Sequence, residues 1–243
     1  MPVVADGETV IKEVLSSGGA TAVLSTQKTT AGTNRCVVLT LSGSIDWVNG
    51  SVSVDYGGSA MTSLQEQRTA RSANPDDCYA GIWYLVNPPT AATTITITWG
   101  HESWAGVYVL AVVASYNTVN QTTPFRGSDK NTSYTITLAS ATGDIVIDAY
   151  GAMNEVNTNA PAGNQTAFGS NCSGGYVVAA AQYAAGAASL AFDWVETLLS
   201  HACHVIGSLQ PVGGATGQFA RPASDLAPGG LFRFDVTGHK FLG

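Results

Sequence analysis

The chain has 243 residues, 45% of them hydrophobic, which is enough for one large all-β domain whose core needs no covalent staples. Its formal net charge is −7, and the 10 Lys and Arg are scattered, so it has neither the basic stripe that nucleic acid needs nor the cationic face that an anionic membrane needs. Only 11% of residues are charged, against about 25% in an ordinary soluble domain. The surface is therefore filled with Thr, Ser, Asn, Gln, Gly and Ala, as on a protein covered by partners or working outside a cell, or in a chain with a plain compositional bias towards Ala, Gly and Thr.

The amino end, "MPVVADGETVIKEV", lacks the basic and continuous apolar regions of a secretory signal, so none is expected there. No run of 18 apolar residues follows to span a membrane as a helix. Val10, Ile11 and Val14 lie at near-helical spacing, which predicts one short helix or an irregular arm within residues 1–21.

Strand patterns then dominate. "CVVLTLSG" is the first, and "SVSVDYGG" follows with Val52, Val54 and Tyr56 on one face. "GIWYLVN" is apolar on both faces, Trp83 and Leu85 alternating with Ile82, Tyr84 and Val86, as in a strand deep in a sheet. Pro88 and Pro89 stop pairing, Asn87 before them is pushed toward extended geometry, and "TTITITW" returns as the next strand. "GVYVLAVVASY" is long enough for a central strand. "SYTITLAS", "DIVIDAYGAM", "YVVAAAQYA", "SLAFDW" and "HACHVIGSLQP" complete about ten strands. Strands do not alternate with helical segments, so an antiparallel sandwich is expected rather than a parallel α/β sheet.

Two segments break this rhythm. Residues 154–174 read as a long polar loop, and loops of that length tend to be functional or disordered. Residues 213–243 are rich in Gly and Pro yet carry Phe219, Phe232, Phe234 and Phe241, which a bare linker would not. The expected organisation is an N-terminal arm over residues 1–21, a β-sandwich over 22–212 and a C-terminal arm over 213–243. Phe168 and the four tail phenylalanines are the candidate partner-binding residues.

Catalytic motifs are missing: there is no GxSxG, no Walker A loop, no HExxH and no GxGxxG after a strand. "HACH" puts His201 and Cys203 on one face of a strand and His204 on the other, two ligands short of a zinc site. "NPDD" at residues 74–77 offers oxygens for calcium but reads equally as a plain turn. Trp47, Trp83, Trp99, Trp104 and Trp194 are either core residues or a sugar-stacking platform. Asp148, Glu155, Asp193 and Glu196 are carboxylates of the kind a glycosidase pairs, with no motif pairing them. No catalytic residue, metal ligand or cofactor is assigned. Cys36 and Cys203 lie in apolar runs and read as buried thiols; Cys78 and Cys172 lie in polar contexts that allow one bridge.

The order "TAGTNRCVVLTLS", "VSVDYGGSAMTSL", "GIWYLVNPPTAATTITITW", "VVASYNTVNQTTPF", "HACHVIGSLQPV" resembles a β-sandwich module of bacteriophage structural proteins and bacterial surface proteins, over roughly residues 22–212. "TAAT" after Pro-Pro, and Thr118-Val119-Asn120 where Gly-Val-Asp is more usual, depart from it. The resemblance implies an antiparallel, jelly-roll-like β-sandwich with extended arms at both ends. It also implies a non-catalytic virion protein, a capsid decoration or cement protein, assembled in a host cytoplasm. Its partners would be further copies of itself, with a trimer the expected number, and a major capsid or other virion protein, with no nucleic acid and no membrane. The alternative is an extracellular adhesion or carbohydrate-binding module at a bacterial surface.

Overall fold

β-branched and alternating runs form strands wherever Gly, Asn, Ser or Pro interrupts them. A computed structural model describes residues 1–15, 21–28, 30–46, 52–71, 74–100, 107–153, 165–173, 177–194 and 201–213. The first half holds β1 (Val4–Leu15), β2 (Thr21–Lys28), β3 (Cys36–Asp46), β4 (Ser53–Tyr56), β5 (Ser59–Ala60), β6 (Thr62–Arg71), β7 (Asn74–Val86) and β8 (Thr93–Gly100). The second half holds β9 (Val107–Asn117), β10 (Phe125–Asn131), β11 (Thr135–Leu138), β12 (Ile145–Met153), β13 (Thr166–Ser173), β14 (Val177–Ala185), β15 (Leu190–Asp193) and β16 (His201–Leu209). Among the described residues there is no helix.

Two five-stranded antiparallel sheets form the sandwich. One runs β1-β9-β3-β7-β6 and the other β13-β14-β12-β16-β10, and they stack with these orders aligned. Cys36, Val38, Ala80, Ile82, Ile147, Ala149, Val205 and Leu209 fill the space between them. Each sheet is covered again on its outer face. A four-stranded sheet, β2-β8-β4-β5, packs on the first through Tyr56, Ile95 and Ile97 against Leu39, Trp83 and Val113. The β11-β15 pair packs on the second through Ile136 and Phe192 against Val146 and Ile206.

This layering accounts for the continuous apolar runs. In β7, Ile82 enters the inter-sheet core while Trp83 enters the outer one, so neither face meets water. Each fully buried side chain of this size stabilises by about 1.5–3 kcal/mol.

Several segments differ from the sequence expectation. Residues 4–15, with their near-helical spacing, form β1 and pair along β9 rather than coiling. The Asn74–Asp77 stretch opens β7 instead of making a turn, with Asp77 opposite Ile45. The Pro-Pro corner is not a hairpin: β8 leaves the sheet of β7 and joins the outer four-stranded sheet. Asn87 is not extended but has φ 49°, which asparagine tolerates and which its hydrogen bonds to Arg35 hold. Of the predicted 154–174 loop, residues 166–173 are strand β13, paired with β14. Residues 214–243 lie outside the described residues, and with them the C-terminal arm. The turn between β4 and β5 falls on Gly57 and Gly58, with φ 60° and 88°, which glycine adopts freely.

Candidate functional site

Chemistry-bearing side chains converge at two places. The first is a buried polar cluster on the outer face of the second sheet. β12 carries Asp148, β14 carries Gln182 directly opposite it, and β16 carries His204 opposite Tyr150. Trp194 lies just beyond β15 and covers them. Asp148, Gln182 and His204 are fully buried and Trp194 nearly so.

Four groups surround the Asp148 carboxylate. The Gln182 backbone N–H donates to Oδ1 at 2.8 Å. Gln182 Nε2 and Trp194 Nε1 each donate to Oδ2 at 3.0 Å, and His204 Nε2 lies 2.8 Å from the same oxygen. His204 Nδ1 faces the backbone carbonyl of Ser133 at 3.2 Å. A carbonyl only accepts, so Nδ1 carries a proton, and Nε2 and Oδ2 share one more. The Tyr150 ring packs edge-on against the imidazole at 5.2 Å. An Asp–His pair is two-thirds of a hydrolytic triad, but here the second ring nitrogen meets a carbonyl, not a hydroxyl, and both side chains are fully buried. The cluster ties β12, β14, β16 and the β15 end together.

The second place is one end of the sandwich, where the motif residues meet. Arg35 donates from Nε to the Pro88 carbonyl at 3.0 Å, from Nη1 to the Gly32 carbonyl at 2.9 Å and from Nη2 to Asn87 Oδ1 at 3.2 Å. The Arg35 carbonyl accepts from the Asn87 N–H at 2.8 Å and from Gln121 Nε2 at 3.1 Å. Asn120 Oδ1 accepts the N–H groups of Thr122 and Thr123 at 3.0 and 3.1 Å. Gln210 Nε2 donates to Thr123 Oγ1 at 2.9 Å, and the Gln210 carbonyl accepts from the Asn120 N–H at 3.0 Å. "TNR", "NPP", "NQTTP" and "LQP" thus form one knot in which side chains replace the backbone partners that strands lose at their ends.

A smaller tie fixes β10. Arg126 grips Asp144 with Nε to Oδ2 at 2.7 Å and Nη2 to Oδ1 at 3.2 Å, and this pairing raises the Arg126 pKa further. Ser208 Oγ donates to the same carboxylate at 2.9 Å.

The sequence-derived candidates scatter. Phe168 is on β13, half-buried, its ring 4.6 Å from that of Tyr183. Phe219, Phe232, Phe234 and Phe241 lie outside the described residues. Trp83 and Trp194 are buried in packing; Trp47 and Trp104 lie outside the described residues, as do Glu155 and Glu196. Among the described residues no three His, Cys, Asp or Glu side chains converge on one point. Cys78, read as a loop residue, is instead buried on β7, its Sγ 2.7 Å from Cys203 Sγ. The Asp148 cluster was not found by motif, because its members come from strands far apart in the chain, and its one signal in the sequence was a polar residue inside an apolar run, "DIVIDAYGAM"; the members of the Arg35 knot all lie in the motifs quoted above, but their meeting was not read from them.

Compared with known proteins, the chain matches no family model, no curated protein and no solved structure.

Proposed function

We propose that this chain is a non-catalytic structural component of a bacteriophage virion, of the capsid decoration type. The observation that supports it most is the knot around Arg35. The motifs that carry the resemblance to phage and surface sandwiches are consumed in closing the end of the sandwich, so their role is architectural. The buried Asp148–His204 cluster points the same way, since its acids and bases are occupied by one another. The charge-poor composition suits a surface held against neighbours. On this reading the sandwich sits on a shell or tube with further copies of itself, and the phenylalanines of residues 213–243 dock across a seam. Each small contact is multiplied by copy number through avidity.

The test is particle association. Phage particles from a lysate that contains the protein are banded by density and probed for the chain, beside a version lacking residues 213–243. Full-length chain is expected in the particle band and the truncated chain in the soluble fraction. Full-length chain that stays soluble overturns the reading; truncated chain that binds equally well overturns the docking tail. Glycan-array binding lost on Trp47→Ala or Trp104→Ala would favour the bacterial surface module instead.

A further inference from the structure

We propose that Cys78 and Cys203 form a disulfide that locks the two five-stranded sheets together when the protein meets an oxidising environment. The two residues come from facing sheets, Cys78 from β7 and Cys203 from β16, 125 positions apart in the chain. Their sulfurs are 2.7 Å apart, nearer than sulfur atoms in ordinary contact and approaching the bonded distance of about 2.05 Å. The Cys203 sulfur also lies 3.0 Å from the Cys78 carbonyl on β7 and 3.3 Å from Thr69 Oγ1 on the neighbouring β6, so it is held against the facing sheet at Cys78.

The backbone explains the approach. Gly151 on β12 pairs directly with Cys203, and a Cβ placed on it would fall within reach of the Tyr79 carbonyl, next to Cys78. Gly43, opposite Tyr79 on β3, contributes its own backbone at 3.2 Å from the same point. With no side chain on either glycine the sheets close up locally, and the neighbouring cysteine pair meets across the gap. Cys36 cannot compete: it is buried at the far end of β3, opposite Val86, and burial pushes its thiol pKa well up, away from the reactive thiolate.

The oxidant is a low-molecular-weight disulfide, RS–SR. One cysteine thiolate attacks it, releasing RS⁻ and leaving a mixed disulfide; the second thiolate attacks the protein sulfur and releases the other RS⁻. The two cysteines lose two protons and two electrons, and RS–SR leaves as two thiols. Both side chains are fully buried, so exchange proceeds in the folding or transiently opened chain and the finished bond is shielded from reductants. The inference is independent of the virion reading.

The experiment refolds the full chain with oxidised glutathione or with a reductant, then counts thiols after denaturation and maps the linked peptides. The count is expected to fall from the four cysteines of the chain to two, with the Cys78 and Cys203 peptides joined. The oxidised form is expected to melt on the order of 10 °C higher, because the bond closes a long loop. A Cys36→Ser, Cys172→Ser double variant keeps this gain, while Cys78→Ala and Cys203→Ala lose it. Should the alanine variants fail to fold, the peptide map of the unaltered chain decides. Four remaining thiols, or any other pairing, overturns the proposal.

Discussion

His204 Nε2 lies 2.8 Å from Asp148 Oδ2 with both side chains fully buried, and a Trp194 N–H meets the same oxygen. Asp148 is thus the common acceptor for β14, β16 and the end of β15. Replacing it removes the acceptor but leaves its donors buried. Asp148→Ala is expected to destabilise by about 3–5 kcal/mol. His204→Ala, which leaves two side-chain donors on the carboxylate, should cost less. Urea unfolding monitored by tryptophan fluorescence checks both.

Arg35 is expected to resist conservative replacement. Its fork reaches two carbonyls and an amide oxygen in three directions, and a lysine ammonium reaches one of them. Arg35→Lys is expected to lower stability by about 1–2 kcal/mol. An unchanged urea midpoint would mean that the knot contributes nothing beyond its backbone bonds.

The strands that were not legible in the sequence share one physical feature. The expected strands correspond to β3, β4, β7, β8, β9, β11, β12, β14, β15 and β16. The six that were missed, β1, β2, β5, β6, β10 and β13, are all sheet edges. Interior strands such as "GVYVLAVVASY" bury both faces and announce themselves by continuous apolar runs. Edge strands such as β6, "TSLQEQRTAR", and β10, "FRGSDKN", are polar because polar and charged side chains discourage pairing with another chain. The polar clusters were less visible still. Asp148 and His204 are separated by 56 positions and only strand register joins them. The Cys78–Cys203 contact hides for the same reason, and the polar sequence before Cys78 suggested a loop where β7 had already begun.

Tyr116 offers a stabilising substitution. Its hydroxyl is buried with no hydrogen-bond partner among the described residues. Tyr116→Phe removes an unsatisfied group and little volume, so it is expected to raise stability by about 1 kcal/mol at neutral pH. A fall in the urea midpoint would show that the hydroxyl has a partner such as a bound water.

The same residue contributes to a predicted alkaline weakness. Burial raises the pKa of Cys36, Tyr79 and Tyr116, with Glu66 beside Tyr79 and Cys36 beside Tyr116 adding to it. The unfolded chain releases the cysteine proton near pH 9.0 and the tyrosine protons near 10.0, while the folded chain keeps them. Stability is therefore full below about pH 9 and falls as pH rises through these values. With all three groups engaged the slope is about 4 kcal/mol per pH unit, and Tyr116→Phe should remove about a third of it. Urea midpoints at pH 8, 9.5 and 11 give the slope, and a flat profile would contradict the burial of these groups.

Sheet spacing can be tested with two glycines that differ in what faces them. A Cβ on Gly151 would collide with the Tyr79 carbonyl and approach Gly43, both of them backbone of interior strands. Backbone in a doubly covered sheet has nowhere to go, so Gly151→Ala forces the two sheets apart and is expected to cost about 3 kcal/mol or more. A Cβ on Gly207 would meet the tip of Leu64 at 2.6 Å and the Phe125 ring at 3.0 Å, both of them half-buried side chains near an edge. Leu64 can change rotamer, so Gly207→Ala should cost closer to about 1 kcal/mol. The separation also reaches the thiols: sheets wedged apart at Gly151 no longer hold Cys78 against Cys203, whereas the Gly207 variant leaves that contact in place. Refolded with oxidised glutathione, Gly151→Ala should therefore form the bond in smaller yield than Gly207→Ala. Equal yields and equal costs would mean that the local closeness of the sheets does not depend on the missing side chain.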